Sequence, residues 1–315
     1  MIKLKNFMKI ITNPHFLLTL TSVFWAFNTV AGRAAVGEVS PLLIVSVRWF
    51  FVSIILSILC RNQLKATWQI LSKKIKWLIF MGLFGFTGFN SAYYIAAHDT
   101  IAINLGLVQG TMPAFIIIIA WVWLKDKINF TQLMGVLITF ISVLIVVSSG
   151  NLALFLNLKL NNGDIVMIFA CSLYAVYAVG LRKKPEIGAL PLLTFFAYVA
   201  FFGSIPGLFY ETYSNQLILP GFRGYIILGV IIIFPSFLAQ IFFMKGVEKI
   251  GPSRSGLYTN LVPVFSSLLA VFFLGENFRF YHFLSLIMIF VGIYLFENNN
   301  KINNLIIKRE LNDRQ

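Results

Sequence analysis

Charge is what this chain has least of. Only 11% of its 315 residues are Asp, Glu, Lys or Arg, whereas 59% are hydrophobic, and the mean hydropathy is +0.86. A soluble domain carries about 25% charged residues. The chain therefore has too little polar surface to cover a globule in water, and its composition predicts an integral membrane protein.

The chain also lacks the residues and motifs that hold metals or carry out catalysis. Its two cysteines, Cys60 and Cys171, lie in or beside apolar segments and offer neither a disulfide framework nor a metal-ligand spacing. Its three histidines are scattered, and the sequence has no HExxH motif, P-loop or paired carboxylates. We therefore expect no metal, no cofactor and no enzymatic activity.

Acidic residues are scarce within the apolar segments as well. None lies clearly inside one, so a proton relay or a carboxylate site for sodium has no clear candidate. This pattern favours uniport or exchange, or ion coupling through groups at helix ends. The acidic residues at segment ends are Asp99, Asp126, Asp164, Glu276 and Glu297.

What the chain does contain is ten apolar segments of about the 20 residues that a helix needs to cross a bilayer. Because lipid offers the backbone no hydrogen-bond partner, these segments are predicted to be helical. The expected fold is an all-α polytopic membrane protein with ten transmembrane helices. The expected parts are a cytoplasmic N-terminal segment (1–15), a first five-helix repeat (16–150), a linker (151–162), a second five-helix repeat (163–297) and a polar cytoplasmic tail (298–315). The helices are predicted at roughly 16–34, 41–60, 76–96, 102–124, 131–149, 164–181, 190–210, 224–244, 253–274 and 280–297.

Basic residues mark one side of the membrane. Of the 25 Lys and Arg residues, twenty lie in alternate connections between the apolar segments or near the two termini. This asymmetry follows the positive-inside rule and places both termini in the cytoplasm. The net charge of +14 thus indicates topology and not nucleic-acid binding. We expect a multi-pass protein of the cell membrane, a bacterial-type inner membrane, with its first apolar run kept as a helix and not cleaved as a signal peptide.

A shift of 150 residues aligns the second half of the sequence with the first. Pro113 then meets Pro263, and Asp126 meets Glu276. Two similar halves with five segments each, an odd number, must enter the membrane in opposite orientations. The halves are therefore predicted to be inverted repeats, an arrangement typical of secondary transporters, whose substrate site lies between the repeats.

Hydrogen-bonding and aromatic residues recur at matched depths in the two halves. At an offset of 149 or 150 residues, Asn28 falls on Tyr177 and Asn90 falls on Gln240. Side chains that line a shared cavity would give this pattern. The alternative is that they only hydrogen-bond neighbouring helices, at about 0.6 kcal/mol each. We predict a substrate cavity lined by Trp25, Asn28, Asn90, Tyr94, Gln109, Tyr174, Tyr177, Gln240, Tyr258 and Asn260.

Arg48 is the costliest residue in the apolar segments. It lies about 10 Å into the second segment, counted from Pro41 at ~1.5 Å per residue. A cation near the bilayer centre costs about 2.5–3.5 kcal/mol on insertion scales. Arg48 would attract an anionic or carboxylate-bearing substrate; alternatively, it snorkels to the outer interface or bonds to carbonyls at a helix end. Its counterpart in the second half is Tyr198, so the predicted site is asymmetric.

Two prolines interrupt the fourth and ninth segments at equivalent depths, Pro113 and Pro263. Matched breaks in the two halves indicate a transport site or a flexing gate, although a proline also produces simple packing kinks. In the third segment, Gly82, Gly85 and Gly88 favour the close approach of another helix.

The chain resembles the drug/metabolite transporter superfamily, and specifically the EamA type with two tandem domains, over about residues 16–297. The resemblance rests on Trp25-Ala26-Phe27-Asn28, on Arg48 after Ser40-Pro41, on the two proline helices and on Leu274-Gly275-Glu276. It departs at Leu124-Lys125-Asp126, where the family has Leu-Gly-Glu. The resemblance implies ten helices, alternating access, a central cavity built from both halves, and export or exchange of small metabolites such as amino acids.

We therefore predict a secondary transporter that exports or exchanges a small polar metabolite, such as an amino acid or a related carboxylate. A channel-like facilitator is the first alternative, and currents far above carrier turnover would identify it. A membrane-embedded enzyme ranks lower, because it would need an acid, histidine or metal cluster at an interface. A homodimer is compatible with the sequence, since lipid-facing and dimer-facing apolar surfaces look alike.

Overall fold

Helices make up all the regular secondary structure in the described part of the chain, which in this computed structural model comprises residues 13–151, 161–250, 255 and 258–295. We number the helices in chain order. They are α1 Pro14–Ala34, α2 Pro41–Leu59, α3 Arg61–Lys73, α4 Ile75–Asp99, α5 Ala102–Gln109, α6 Met112–Leu124, α7 Phe130–Val147, α8 Asn162–Lys183, α9 Ala189–Tyr213, α10 Phe222–Ile250, α11 Val262–Leu274 and α12 Phe280–Leu295.

Each predicted segment coincides with a helix, and α5 and α6 together fill one segment. Among the described residues, seven helical stretches are long and apolar enough to cross a membrane: α2, α4, α5 with α6, α7, α8, α9 and α10. Helices α11 and α12 are shorter apolar helices. Helix α1 has 21 residues, but His15, Asn28 and Arg33 lower its mean hydropathy. The chain is thus a polytopic membrane protein, whereas ten crossings with both termini inside stay a prediction.

The linker 151–162 and the N-terminal segment 1–15 lie mostly outside the described residues, and the tail 298–315 lies wholly outside them. The predicted start of the ninth helix at 253 also falls largely outside the described residues.

The 150-residue offset is visible in the helix boundaries. Helices α6 and α11 differ by 150 in both their first and their last residues, and so do the first residues of α7 and α12. Helices α4 and α10 each contain a π-helical turn, at Leu83–Gly88 and Ile232–Leu238, and these turns also correspond. The two halves therefore share even their local departures from α-helical geometry.

The same correspondence holds at one position where the chain departs from the family pattern. The residue after α6 is Lys125, whose φ is 60°, and the residue after α11 is Gly275, whose φ is 66°. Lys125 therefore adopts the left-handed conformation that a glycine adopts in the second half, at a cost of about 1–2 kcal/mol. In each half the next backbone amide donates to the carbonyl six residues earlier. The helix ending is conserved in geometry although its residue differs.

Equivalent helices of the two halves pack antiparallel. Leu42 at the start of α2 meets Glu211 at the end of α9, and Ser57 near the end of α2 meets Tyr198 in the middle of α9. Helix α5 pairs antiparallel with α11, and α7 pairs antiparallel with α12. The two halves are thus inverted relative to each other.

Two symmetry-related groups of helices form the centre of the bundle. Helix α1 packs against α10 and α11, and its counterpart α8 packs against α4 and α6. Helices α7 and α12 pack on each other through Ser142 and Ser285, whose hydroxyl oxygens are 2.7 Å apart. Every one of these contacts joins the first repeat to the second.

Glycines of α4 allow the close approach that the sequence predicts. A Cβ on Gly82 would lie 2.7 Å from Val199 of α9, and a Cβ on Gly85 would overlap the Tyr177 ring of α8. Ordinary carbon contacts are longer, about 3.5–4.0 Å. The prediction of close packing at these glycines is therefore confirmed.

The sequence predicts only a basic connection between the second and third apolar segments. The structure has helix α3 there. Its 13 residues are too few to cross a bilayer. Leu71 is buried against the bundle, whereas Arg61 and Lys65 are exposed. Helix α3 is therefore an amphipathic helix at the basic end of the bundle.

Candidate substrate site

Four of the predicted cavity residues meet in the first half of the chain. Helix α2 supplies Arg48, α1 supplies Asn28, and α4 supplies Asn90 and Tyr94. Arg48 Nη1 donates to Tyr94 Oη at 2.6 Å, to Asn90 Oδ1 at 3.0 Å and to Asn28 Oδ1 at 3.4 Å. Tyr94 Oη also donates to Asn28 Oδ1 at 2.7 Å. One guanidinium nitrogen thus joins three helices.

The position of Asn90 depends on the π-helical turn of α4. Asn90 stands two residues after that turn, and its Nδ2 donates to the Phe86 carbonyl at 2.6 Å. Gln240 stands two residues after the equivalent turn of α10, which contains Pro235. Such turns are frequent at functional sites, and here they precede the two amides that the sequence pairs.

Arg48 is buried, and none of its partners among the described residues is anionic. Its side chain is only 4% exposed, and in the described part of the chain the ion pairs lie between other residues. The guanidinium carbon is 4.9 Å from the centroid of the Trp49 ring and 5.6 Å from that of Tyr94, within the range of cation–π attraction. Neutral acceptors and aromatic faces therefore hold the charge, and the guanidinium does not snorkel to an interface.

The other donors of Arg48 make no hydrogen bond to described residues. All of its hydrogen bonds to described residues come from Nη1, and Nε is a buried donor without an acceptor there. A guanidinium pairs with a carboxylate through two parallel N–H donors. Nε and Nη2 form an edge with the geometry for such a pair, and a carboxylate would reach it by entering the buried cluster.

Two predicted tyrosines of the second half lie beside the π-helical turn of α4. The centroids of the Tyr174 and Phe89 rings are 5.2 Å apart, and Tyr177 meets Phe86 edge-on at 5.4 Å. Both tyrosines are half-buried. They bring α8 against the helix that carries Asn90.

The other predicted amides are half-buried. The side chains of Gln109, Gln240 and Asn260 make no hydrogen bond to other described residues. Gln109 is the last residue of α5, and Asn260 stands just before α11. Trp25 is also half-buried, and its ring lies 5.3 Å from that of Phe243 on α10.

The structure does not bring Tyr258 to Arg48. The Tyr258 hydroxyl bonds to His15 Nδ1, and the Tyr258 carbonyl accepts from Ser22 Oγ. His15 is thirteen residues before Asn28, or about 20 Å along α1. Tyr258 therefore belongs to the end of the bundle where α1 begins.

The two helix breaks lie against each other. Pro113 and Pro263 occupy the first turns of α6 and α11, so each proline begins a half-helix after the break, where its missing N–H costs least. A Cβ on Gly110, at the first break, would lie 2.5 Å from Pro263 Cγ. The sequence predicted the breaks, but not that they touch.

Carboxylates join the halves at the end of the bundle opposite α3. Glu276 accepts hydrogen bonds from the Ala102 and Ile103 amides at 2.7 and 2.9 Å, which satisfies the start of α5. Asp164 Oδ2 accepts from Asn104 Nδ2 at 3.0 Å. Carboxylates at helix N-termini are stabilising because the free amides there carry partial positive charge.

Glu211 makes a similar contact that sequence reasoning missed. It is 4% exposed and accepts from the Leu42 and Leu43 amides at 2.8 and 3.2 Å, at the start of α2. The predicted segment ended at residue 210, whereas α9 continues to Tyr213. The polar residues around it concealed the continuation of the helix.

Inverted helical halves with a buried polar centre and paired helix breaks define a membrane transporter. The sequence profile of the EamA-like transporter family matches residues 13–148 and 161–297. The chain therefore belongs to the EamA-like transporter family, and its resemblance to the drug/metabolite transporter superfamily is confirmed.

Several curated proteins are similar over most of their length. An uncharacterized transporter of Bacillus subtilis (strain 168), YyaM, is 24% identical over 290 residues, which cover 89% of this chain and 92% of that protein. An uncharacterized transporter of Archaeoglobus fulgidus is 25% identical over 300 residues, covering 89% and 96%. A solved crystal structure shares the fold, with a TM-score of 0.60, 17% identity and coverage of 89% and 95%. The chain is a multi-pass transporter of the cell membrane.

Proposed function

We propose that this transporter works by alternating access and exports or exchanges a small carboxylate-bearing metabolite, such as an amino acid. Arg48 carries the proposal, because it is a buried cation whose bonding partners are all neutral. A buried charge is costly unless it is paired. The carboxylate of a substrate would supply the missing charge, and the unused Nε and Nη2 donors would hold it in a bidentate pair.

The neighbours of Arg48 have distinct roles in this proposal. Asn28, Asn90 and Tyr94 position the guanidinium by bonding Nη1, which leaves its other edge for the substrate. Hydrogen bonds of this kind also occur as simple interhelical contacts, but such contacts would not require a cation. The remaining lining residues would be Trp25, Gln109, Tyr174, Tyr177, Gln240 and Asn260, with Tyr258 at the basic-side mouth.

Alternating access requires one end of the bundle to close while the other opens. The bonds of Glu276, Glu211 and Asp164 join the halves at the end opposite α3. At the basic end, the ion pair between Arg182 and Asp126 is exposed, and exposed pairs contribute little, about 0–1 kcal/mol. We propose that the carboxylate contacts form an outer gate, closed in this state, and that the half-helices at Pro113 and Pro263 move to open it.

Counterflow in vesicles tests the proposed function. The purified protein would be reconstituted and loaded with members of a panel of amino acids and other carboxylates, with and without a proton gradient. We expect saturable exchange of at least one carboxylate, loss of that exchange in Arg48→Gln, and little change in Arg182→Gln, which removes an exposed arginine instead. Acceleration by the gradient would identify proton coupling.

Three results would contradict parts of this proposal. Exchange restricted to uncharged compounds would refute the carboxylate assignment. Currents far above carrier turnover would identify a channel. Undiminished exchange by an Asn90→Leu plus Gln240→Leu double variant would refute the shared cavity.

A homodimer is compatible with the sequence, and light scattering on the purified protein measures the oligomeric state.

A further inference from the structure

A groove lined by lysines opens at the basic end of the bundle, where α3, the start of α4 and the end of α8 meet. Its volume is about 490 Å³, and the described residues that line it include no acidic one. Nothing in the proposed substrate site accounts for it, because that site lies among the central helices. The groove is lined by Lys73, Lys74, Lys76, Trp77 and Lys183, among others.

Two of the four lysines of the groove are fixed by contacts within it. Lys74 Nζ donates to the Lys183 carbonyl at 3.0 Å, and Lys183 Nζ lies 5.7 Å from the centroid of the Trp77 ring. Residues 61–77 contain five basic residues and no acidic one. Like charges fixed close together repel unless an anion lies between them, so this arrangement favours an anionic ligand.

Helix α3 places the groove at the depth of lipid head groups. Its Leu71 is buried against the bundle, whereas Trp68 is 53% exposed and Ile70 is 42% exposed. A short amphipathic helix with basic and aromatic residues lies in the membrane interface, and tryptophan is enriched at that level. The groove therefore opens beside the phosphates of the leaflet on the basic side.

An apolar surface continues from the groove along α4 towards the membrane interior. Ile79, Phe80 and Leu83 follow the lysines and are each about two-fifths exposed. The acyl chains of a lipid bound at the groove would lie on this surface. In addition, Trp77 Nε1 is a buried donor without an acceptor among the described residues, and a phosphate oxygen that entered the groove would accept from it.

We propose that this groove binds an acidic phospholipid, with its phosphate among Lys73, Lys74, Lys76 and Lys183 and its acyl chains along α4. Attraction of basic residues to anionic lipid is a general property of protein segments beside a membrane. The four lysines of the groove and the adjoining apolar surface would make this attraction specific to one site. The proposal is independent of the transported substrate.

Lipid titration monitored by native mass spectrometry tests the site on the purified full chain. Phosphatidylglycerol would be compared with phosphatidylcholine for the wild type and for Lys73→Gln plus Lys76→Gln, which leaves the bonded Lys74 intact. Lys125→Gln plus Lys127→Gln is the matched control, because both lysines are exposed at the same end of the bundle. We expect preferential binding of phosphatidylglycerol, weakened about fivefold per groove lysine and so roughly 25-fold in the groove variant, with less than about a twofold change in the control.

Other outcomes would overturn the proposal. Equal losses in the two variants would indicate a diffuse field of charge, and no loss in either would exclude the groove. Displacement of the bound lipid by millimolar glycerol phosphate would indicate a soluble-anion site in place of a lipid site. Persistence of the lipid under that competition is the expected result.

Discussion

Arg48 combines a charge with a geometry, and the two are separable by mutation. A lysine keeps the charge but presents a compact ammonium in place of a planar fork. We expect Arg48→Lys to lower exchange of a carboxylate at least about tenfold at low substrate concentration, because the bidentate pair is lost. Counterflow in vesicles measures this effect, with Arg182→Lys as the surface control. Wild-type exchange by Arg48→Lys would contradict the bidentate contact.

The Tyr94 hydroxyl is the strongest link in the arginine cluster, since it accepts from Arg48 and donates to Asn28. Removing it in Tyr94→Phe leaves two buried polar groups short of a partner, at a cost of about 1–3 kcal/mol. We expect a lower thermal unfolding temperature in detergent. Tyr225→Phe is the control, because Tyr225 is 65% exposed. Equal unfolding temperatures for Tyr94→Phe and the wild type would show that the bonds contribute nothing net.

The roles of individual residues were predictable where placing a polar side chain in the bilayer costs free energy. Arg48, Asn28, Asn90 and Tyr94 stood out for that reason, and they meet in one cluster. Their bonds to one another were not predictable, because they depend on the rotation of three helices about their axes. Tyr258 was equally plausible in the sequence, yet its depth placed it with His15.

At the level of helices, the close contacts of α4 provide a sharp packing test. A Cβ on Gly85 would overlap the Tyr177 ring, whereas Gly229 of α10 has open space around its Cβ position. We expect Gly85→Ala to destabilise the protein by about 1–3 kcal/mol through overpacking, and Gly229→Ala to be neutral or stabilising by up to about 1 kcal/mol. Thermal unfolding of the two variants side by side measures the difference. A neutral Gly85→Ala would show that α8 can move away from α4 at no cost.

The proposed outer gate is tested by removing one carboxylate. Glu276→Ala leaves the Ala102 and Ile103 amides unbonded, so we expect the outer end to open more often. A cysteine at Gln109 would then react faster with a membrane-impermeant thiol reagent added from outside. Asp126→Ala, the equivalent change at the other end, is expected to leave that rate unchanged or lower it. Equal rates for both variants would refute the gate.

Helices themselves were predictable, because long apolar runs have no other way to bond their backbone in lipid. The breaks at Pro113 and Pro263 were predictable as well, since proline lacks the N–H that a continuous helix needs. The π-helical turns of α4 and α10 were not, because an inserted residue leaves no signature in an apolar run. Helix α3 escaped prediction because it is short and mixed in polarity.

For the whole molecule, the placement of basic residues predicts the orientation in the membrane. We expect the connection after α9 to face outwards and the connection between α6 and α7 to face the cytoplasm, from the placement of basic residues. An impermeant thiol reagent should therefore label Gln216→Cys but not Lys127→Cys in intact cells. Both positions are exposed, and the native Cys60 and Cys171 are buried. The reverse labelling pattern would invert the topology.

Tyr198, which stands where the repeat would place a second arginine, is 38% exposed and bonds to Ser57 at 2.8 Å. The two halves thus contribute unequally to the proposed substrate site, because among the described residues only the first half supplies a buried cation. A carrier built in this way surrounds its substrate differently in its inward and outward states. Its half-saturation concentrations on the two faces of the membrane are then free to differ. The maximal rates in each direction differ in proportion, so that net transport without an energy source still ends at equal concentrations. Such a transporter would have a higher maximal rate in one direction than in the other, although its fold is nearly symmetric.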